Sequence, residues 1–235
     1  FDKEKQKIVG KKVTKYQAIK IATVNIPTIP SDKFQSCLYQ VLQNDGFELL
    51  NWTRRCDDWV ARAHWLGQQL DDFPRVSKSI LQASLDEWLL PYLAGVNSVA
   101  ALKKVNVFEL LQQSLSWQDQ QTLNSQAPIE YKAPSNKTVA IVYDEQQGPT
   151  VSVQLQEMFG EVNSPKIGGG KVPIRFELLS PARRPIQTTS DLANFWQTSY
   201  FAVAKDMRGR YPRHRWPDEP LLEKAGKSIK SKKGA

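Results

Sequence analysis

The chain has 235 residues, with 32 Lys and Arg against 24 Asp and Glu, a net charge of +8 and 40% apolar residues. That is enough chain for one or two domains with a sizeable core, and no apolar run approaches the ~18 residues of a membrane span. The two cysteines, Cys37 and Cys56, fall on apolar positions of helical patterns, so no disulfide framework or Cys/His metal cluster is expected, and a reducing cytoplasm is the default compartment.

The positive charge sits at the ends. Residues 1–20 carry seven lysines against Asp2 and Glu4, and residues 205–216 carry Lys205, Arg208, Arg210, Arg213 and Arg215 against Asp206. Residues 31–127 hold 8 basic and 11 acidic residues, a net −3. A near-neutral body with basic ends points to a polyanion partner such as nucleic acid; a solubilising tail gives the same count.

Residues 8–29 read as strands, with Ile19, Ile21 and Thr23–Ile26 partly alternating. Two strands alone cannot bury a face, so residues 1–30 are read as the end of a truncated β-domain. The chain opens at Phe1 in a lysine-rich segment with no helix-start signal, as expected of a piece of a longer protein.

From Pro30 the period turns helical. Phe34, Cys37, Leu38, Val41 and Leu42 recur at i, i+3, i+4, i+7 and i+8, and Gly46 stops the run. A second helix has Thr53 as N-cap and Cys56, Trp59, Val60, Ala63, Leu66 and Leu70 on one face. A third is predicted from about Ser79 to Leu90, ended by Pro91. Asn97 or Ser98 starts a fourth, Asn106 with Glu109 resembles a capping box for a fifth, and Ser116 starts a sixth. Residues 31–127 are thus predicted as a helical module, too acidic to bind polyanions and suited to bracing.

After Pro128 the period becomes two. Ile129 and Tyr131, then Val139, Ile141 and Tyr143, then Val151, Val153 and Leu155, then Val172, Ile174, Phe176 and Leu178, are separated by turn signals. Asp191 or Ser190 caps a final helix with Leu192, Phe195, Trp196, Val203 and Met207 inward, ended by Gly209. The fold class predicted is α+β: a helical module followed by a small antiparallel β-sheet or barrel, residues 128–218, with a C-terminal helix. Residues 219–235 are lysine-rich without apolar pattern and are predicted to be a basic disordered tail.

The richest segment is RGRYPRHRWP, residues 208–217. Guanidinium forks interleaved with aromatic rings suit phosphates and bases. Arg208, Arg210, Tyr211, Arg213 and Arg215 are therefore candidate nucleic-acid contacts. Arg183 and Arg184, in the turn SPARRP at 180–185, and Lys171, beside the glycine turn, join them if the sheet brings them near the run. Lys166 and Arg175 belong with Lys171. Trp216, between prolines, is equally an anchor that pins the tail.

Several ordered motifs carry a family resemblance. LLSPA at 178–182, Arg184-Pro185, SDLANFW at 190–196, and RGRYP with WP at 208–217 resemble the C-terminal domain of HrpB-type ATP-dependent helicases, a bacterial branch of the DEAH-box group. DEWLLPYLAGV at 86–96, LSWQDQQTLNSQAP at 115–128 and LQEMFG at 155–160 extend the likeness over about residues 31–220.

The resemblance implies an accessory region of an RNA-type helicase, contacting single-stranded RNA. It implies RecA-like motor domains in the same polypeptide as partner, ATP and Mg for the full-length enzyme, and an OB-like origin for the N-terminal strands. The motor chemistry is absent from these residues. IGGGK at 167–171 departs from a P-loop, with Pro165 at the first glycine and Val172 at the Ser/Thr; Asp144-Glu145 runs into two glutamines, not the His of a DExH site. No cofactor is expected in this chain, and it is expected not to be catalytic alone. His64, His214 and the acid pairs Asp57/Asp58 and Asp71/Asp72 lack a nucleophile partner and read as structural or surface groups. The alternative is a protein-interaction scaffold docking through the tryptophan-rich helices.

Overall fold

A computed structural model describes every residue except 3, 5–7, 27–28, 97, 227–228 and 230–235. The chain begins with an antiparallel ribbon of β1 (Gly10–Tyr16) and β2 (Ile19–Ile26). The helices follow as α1 (Ser31–Asp45), α2 (Arg54–Gln69), α3 (Lys78–Ala83), α4 (Leu85–Trp88), α5 (Val99–Leu102), α6 (Val107–Gln113) and α7 (Trp117–Gln126). Then come β3 (Glu130–Lys132), β4 (Thr138–Ala140), β5 (Val142–Asp144), β6 (Gly148–Gln154), β7 (Lys166–Ile167), β8 (Val172–Pro173), β9 (Arg175–Leu179) and β10 (Pro185–Thr189). The last elements are α8 (Leu192–Asn194), a π-turn over Phe195–Ser199 and α9 (Tyr200–Arg210). No helix among the described residues is long and apolar enough to cross a membrane.

The chain divides into two compact units, residues 1–60 with 75–118 and residues 61–74 with 119–235. The division cuts α2 and α7 and so does not follow the predicted boundary at 127/128.

In the first unit the helical period does what it predicts. Phe34, Leu38 and Leu42 of α1 are buried, and Gly46 takes a left-handed φ of 76° where the helix stops. Burial of each such side chain stabilises by about 1.5–3 kcal/mol. Cys56, Trp59, Leu81, Leu85, Trp88, Leu102 and Leu111 are buried as well. Ser98 caps α5 by accepting from Ala101 N at 3.2 Å; Asn106 caps α6 by accepting from Glu109 N at 3.4 Å and donates to Glu109 Oε2 at 3.1 Å.

The third predicted helix differs. It breaks at Ser84 into α3 and α4, where the Ser84 hydroxyl donates back to Ile80 O at 3.0 Å, a competitor to helix bonding. Pro91 does not end it: the proline occupies the first turn of a 3₁₀ helix at Leu90–Leu93, where a missing N–H is tolerated.

The second unit holds a four-stranded sheet in the order β10-β9-β6-β5. The α+β class is as predicted, but the sheet is mixed and open. β6 and β9 are parallel, with Thr150 opposite Arg175 and Gln154 opposite Leu179, while β5–β6 and β9–β10 are antiparallel. Residues 155–174, including the β7–β8 hairpin, form the long connection that a parallel pair requires. Val151 and Val153 of β6 and Phe176 and Leu178 of β9 are buried, in the alternation of a sheet with one covered face.

Asp191 caps α8 through Asn194 N at 3.0 Å. The π-turn then inserts a residue: Tyr200 N reaches back to Phe195 O. Tyr200 and Ala204 are therefore buried beside Phe195, Trp196 and Met207, and the predicted Val203 is only half-buried. The helix runs to Arg210, past Gly209.

The predicted disorder of 219–235 does not hold for its first part. Gly160 N donates to Pro220 O at 3.2 Å and Gly226 N to Gln156 O at 3.0 Å, so residues 220–226 are strapped to the segment after β6. Residues 227–228 and 230–235 lie outside the described residues.

Candidate functional site

The parallel β6–β9 pair brings two chain exits to one end of the sheet, because Gln154 and Leu179 are register partners. After β6 the chain makes a 3₁₀ turn, Leu155–Met158; after β9 it makes the turn 180–184. Gln154 Nε2 donates to Pro181 O at 2.9 Å and ties the exits together. Two residues on, the fully buried Gln156 donates through Nε2 to Arg215 O at 3.2 Å. The SPARRP turn and the 208–217 run are thus anchored on one segment.

The turn is closed by Ser180, which is 1% exposed. Its amide donates to Arg184 O, its carbonyl accepts from Arg183 N, both at 2.8 Å, and its hydroxyl accepts from Arg184 N at 3.1 Å. Arg183 holds φ at 59°, a left-handed conformation that costs a side chain with a Cβ about 1–2 kcal/mol and glycine almost nothing. Both Arg183 and Arg184 are exposed, and neither guanidinium has a partner among the described residues.

The run itself is divided. Trp216 is buried, 5% exposed, and its indole N–H donates to Tyr211 O at 3.2 Å. Arg208 is exposed but tied to the backbone: Nε and Nη2 donate to Trp216 O at 3.0 and 2.7 Å, and Nη2 also pairs with Asp218. Arg215 stacks over the Phe159 ring at 5.4 Å and donates to Glu223 Oε2 at 2.5 Å and Lys224 O at 2.8 Å. Tyr200 OH donates to Pro217 O at 2.8 Å, and burial pushes its phenol well above the ordinary tyrosine range. Two arginines, a tryptophan and a tyrosine therefore build the fold of the strap.

What faces water is smaller. Arg213 is exposed with no partner among the described residues. Arg210 is 67% exposed and pairs at 3.2 Å with Asp206, one helical turn back. Tyr211 is half-buried, edge-on to His214 with centroids 5.7 Å apart.

Lys171 does not join this group. Arg175 begins β9, about 13 Å of strand from Leu179 at the end that carries the turn. Lys171 lies just before it, with Nζ donating to Gln69 O at 3.4 Å, and Arg175 bonds Gln147 Oε1. Lys166, Lys171 and Arg175 sit at the start of β9, so the predicted approach to Arg208–Arg215 is not observed. Parallel pairing puts the ends of β6 and β9 on one side of the sheet and their beginnings on the other, and periodicity alone does not reveal it.

The glycine turn is a packing device. Gly168, Gly169 and Gly170 hold φ of 60°, 70° and 73°, and a Cβ on Gly168 would meet Trp65 Cη2 at 2.8 Å. The amides of Gly168 and Gly169 donate to Gln126 O and Oε1 at 2.8 and 2.9 Å, so they are not aimed at a phosphate. His64 bonds Gln68 at 3.0 Å and Glu145 at 3.3 Å. Asp57 is held below the usual carboxylate range mainly by its hydrogen bond with Lys78, and it also accepts from Trp52 Nε1 at 2.9 Å. No His, Cys, Asp or Glu group among the described residues is arranged to hold a metal ion.

Sequence reasoning missed Gln154, Gln156 and Ser180. Two glutamines flanking the apolar Leu155, after the alternating Val151 and Val153, are the signal that could have found the first two.

Residues 88–220, more than half of the chain, match the family model HrpB_C, described as ATP-dependent helicase C-terminal. Over 193 residues the chain is 41% identical to the ATP-dependent RNA helicase HrpB of Escherichia coli (strain K12), covering 80% of this chain and 24% of that protein. A crystal structure of the E. coli DExH-box NTPase HrpB superposes with a TM-score of 0.78 at 33% identity, over 94% of this chain and 30% of that one. A crystal structure of the Escherichia coli DEAH/RHA helicase HrpB gives 0.67 at 32% identity, over 90% and 29%. The chain thus spans about a quarter to a third of the length of the relatives it matches. With the SPARRP turn and the RGRYP run inside the matched span, the chain belongs to the C-terminal family of HrpB-type ATP-dependent helicases.

Proposed function

We propose that this chain is the accessory region of an ATP-dependent RNA helicase that contacts the nucleic-acid backbone and braces the motor. The observation that carries the nucleic-acid half is Arg183. It occupies a left-handed turn position where glycine would be less strained, yet it presents an exposed guanidinium, without a partner among the described residues, next in sequence to Arg184. Strain of this kind persists at sites where the side chain has a use. Arg213 and Arg210 extend the cationic surface, and the half-buried Tyr211 between them in sequence adds a ring on which a base can stack. Arg208 and Arg215 set the shape of the run, and Lys171 stands apart from the contact.

The bracing half draws on the first unit. Trp117 is 76% exposed and Tyr92 53% exposed, apolar surface that a motor domain of the same polypeptide would cover. ATP and Mg act in that motor; no residue of this chain is assigned to them. A scaffold without nucleic-acid contact would use the same exposed rings.

Fluorescence anisotropy with labelled single-stranded RNA at about 50 and 200 mM salt tests the reading. Binding that weakens steeply with salt and is reduced in Arg183→Ala/Arg184→Ala supports it. Salt-independent binding, or none at low salt, removes the nucleic-acid half and leaves the scaffold.

A further inference from the structure

The β1–β2 ribbon, in the first unit, has a charge pattern that the turn and run do not explain. Between Gly10 and Ile26 it carries Lys11, Lys12, Lys15 and Lys20 and no Asp or Glu. Every residue from 11 to 25 is exposed. The register then concentrates the charge. Pairing runs in step from Gly10↔Ile26 to Thr14↔Ala22 and shifts between Thr14 and Lys15, so that Lys15 faces Lys20 and not Ile21. A bulge of this kind re-aims a side chain.

Residues directly opposite in an antiparallel pair share a face, with Cβ atoms about 4.5–5.5 Å apart, and like charges there destabilise the pair. Neither lysine has a carboxylate partner among the described residues. Lys11 lies on the same face as Lys15, four residues back, about 13 Å along the ribbon. Tyr16 and Ile19, the next pair toward the turn, alternate to the other face and are 66% and 68% exposed, so the lysine face carries no ring. An anion seated between the two ammonium groups turns their repulsion into shared attraction, and one with a repeating charge also meets Lys11.

We propose that the bulged tip of this ribbon is a second nucleic-acid contact. Lys15 and Lys20 clamp one backbone phosphate, and Lys11 meets a phosphate further along the strand. This rests on the reading of the chain as one that contacts nucleic acid, and uses none of the residues of the SPARRP turn.

The test is RNA binding by the intact chain, with labelled oligouridylate at about 50 and 200 mM salt, for the parent, Lys15→Glu, Lys104→Glu and Arg183→Ala/Arg184→Ala. Lys15→Glu places an opposite-charge pair across the ribbon, which strengthens it, so weaker binding cannot be ascribed to a melted hairpin. The expected result is about a tenfold loss of affinity at the lower salt. The salt slope should shrink by about 0.7, the equivalent of the one phosphate shared by Lys15 and Lys20 on a single strand. Lys104→Glu changes net charge equally at an exposed residue outside the ribbon, after α5, and is expected to have a much smaller effect. An equal loss in Lys104→Glu makes the effect one of net charge and overturns the clamp. Parent-like binding by Lys15→Glu also overturns it; if the turn variant then loses affinity, the interface of the second unit stands alone. Loss in Lys15→Glu with none in the turn variant leaves the clamp and removes the turn.

Discussion

The turn at 180–185 and the run at 208–217 carry the same kind of charge and hang from the same short segment after β6, yet they use their arginines in opposite ways. In the run, Arg208 and Arg215 are spent on the Trp216 and Lys224 carbonyls and on Asp218 and Glu223. In the turn, Arg183 and Arg184 hold no partner among the described residues and the backbone at Arg183 is strained. Residue type therefore does not separate a structural arginine from an available one; the surrounding carbonyls and carboxylates do.

The contrast makes stability and binding separable. Trp216→Ala should have the largest effect, a loss of about 3–5 kcal/mol as a buried indole and its hydrogen bond go, read as a lower melting temperature by circular dichroism. Arg208→Ala should cost about 1–2 kcal/mol. The bonds to Trp216 O are charge-assisted, but the guanidinium is 48% exposed and the Asp218 pair adds little in solvent. A variant as stable as the parent would make the run as dispensable as the turn.

The strap should also fail in base. Burial raises the phenol of Tyr200, and likewise those of Tyr131 and Tyr143, all in the second unit. A folded value above the unfolded one means stability fully present below about pH 10 and lost as pH rises toward the folded value. Tyr200→Phe should cost about 1 kcal/mol near neutrality through removal of the bond to Pro217 O, and should flatten the alkaline decline. An unchanged pH profile would contradict the burial assigned to this phenol.

The smallest stability effects belong to the turn. Arg184→Ala should lie within about 0.5 kcal/mol of the parent, and Arg183→Gly should gain up to about 1 kcal/mol by relieving the left-handed strain.

Much of this fold is legible in the sequence because local chemistry sets it. Ser98, Asn106 and Asp191 cap where an N-cap pattern places them, and Phe34, Leu38 and Leu42 bury at helical spacing. What is not legible depends on distant partners. The parallel register of β6 and β9 is set across a long connection, and with it the separation of Lys171 from the run. The π-turn that buries Tyr200 replaces one periodic face with another just as apolar. The candidate site follows the same division: RGRYPRHRWP stands out by composition, but which of its arginines is available depends on Asp218 and Glu223, eight to ten residues beyond the arginines they bind.

Arg183→Gly is the most direct test of the central claim, measured in one preparation for melting temperature and for single-stranded RNA affinity at about 50 and 200 mM salt. The account predicts a higher melting temperature together with weaker binding and a salt slope smaller by about 0.7, as one phosphate goes unneutralised. A more stable protein that binds RNA with parent affinity and slope would contradict it.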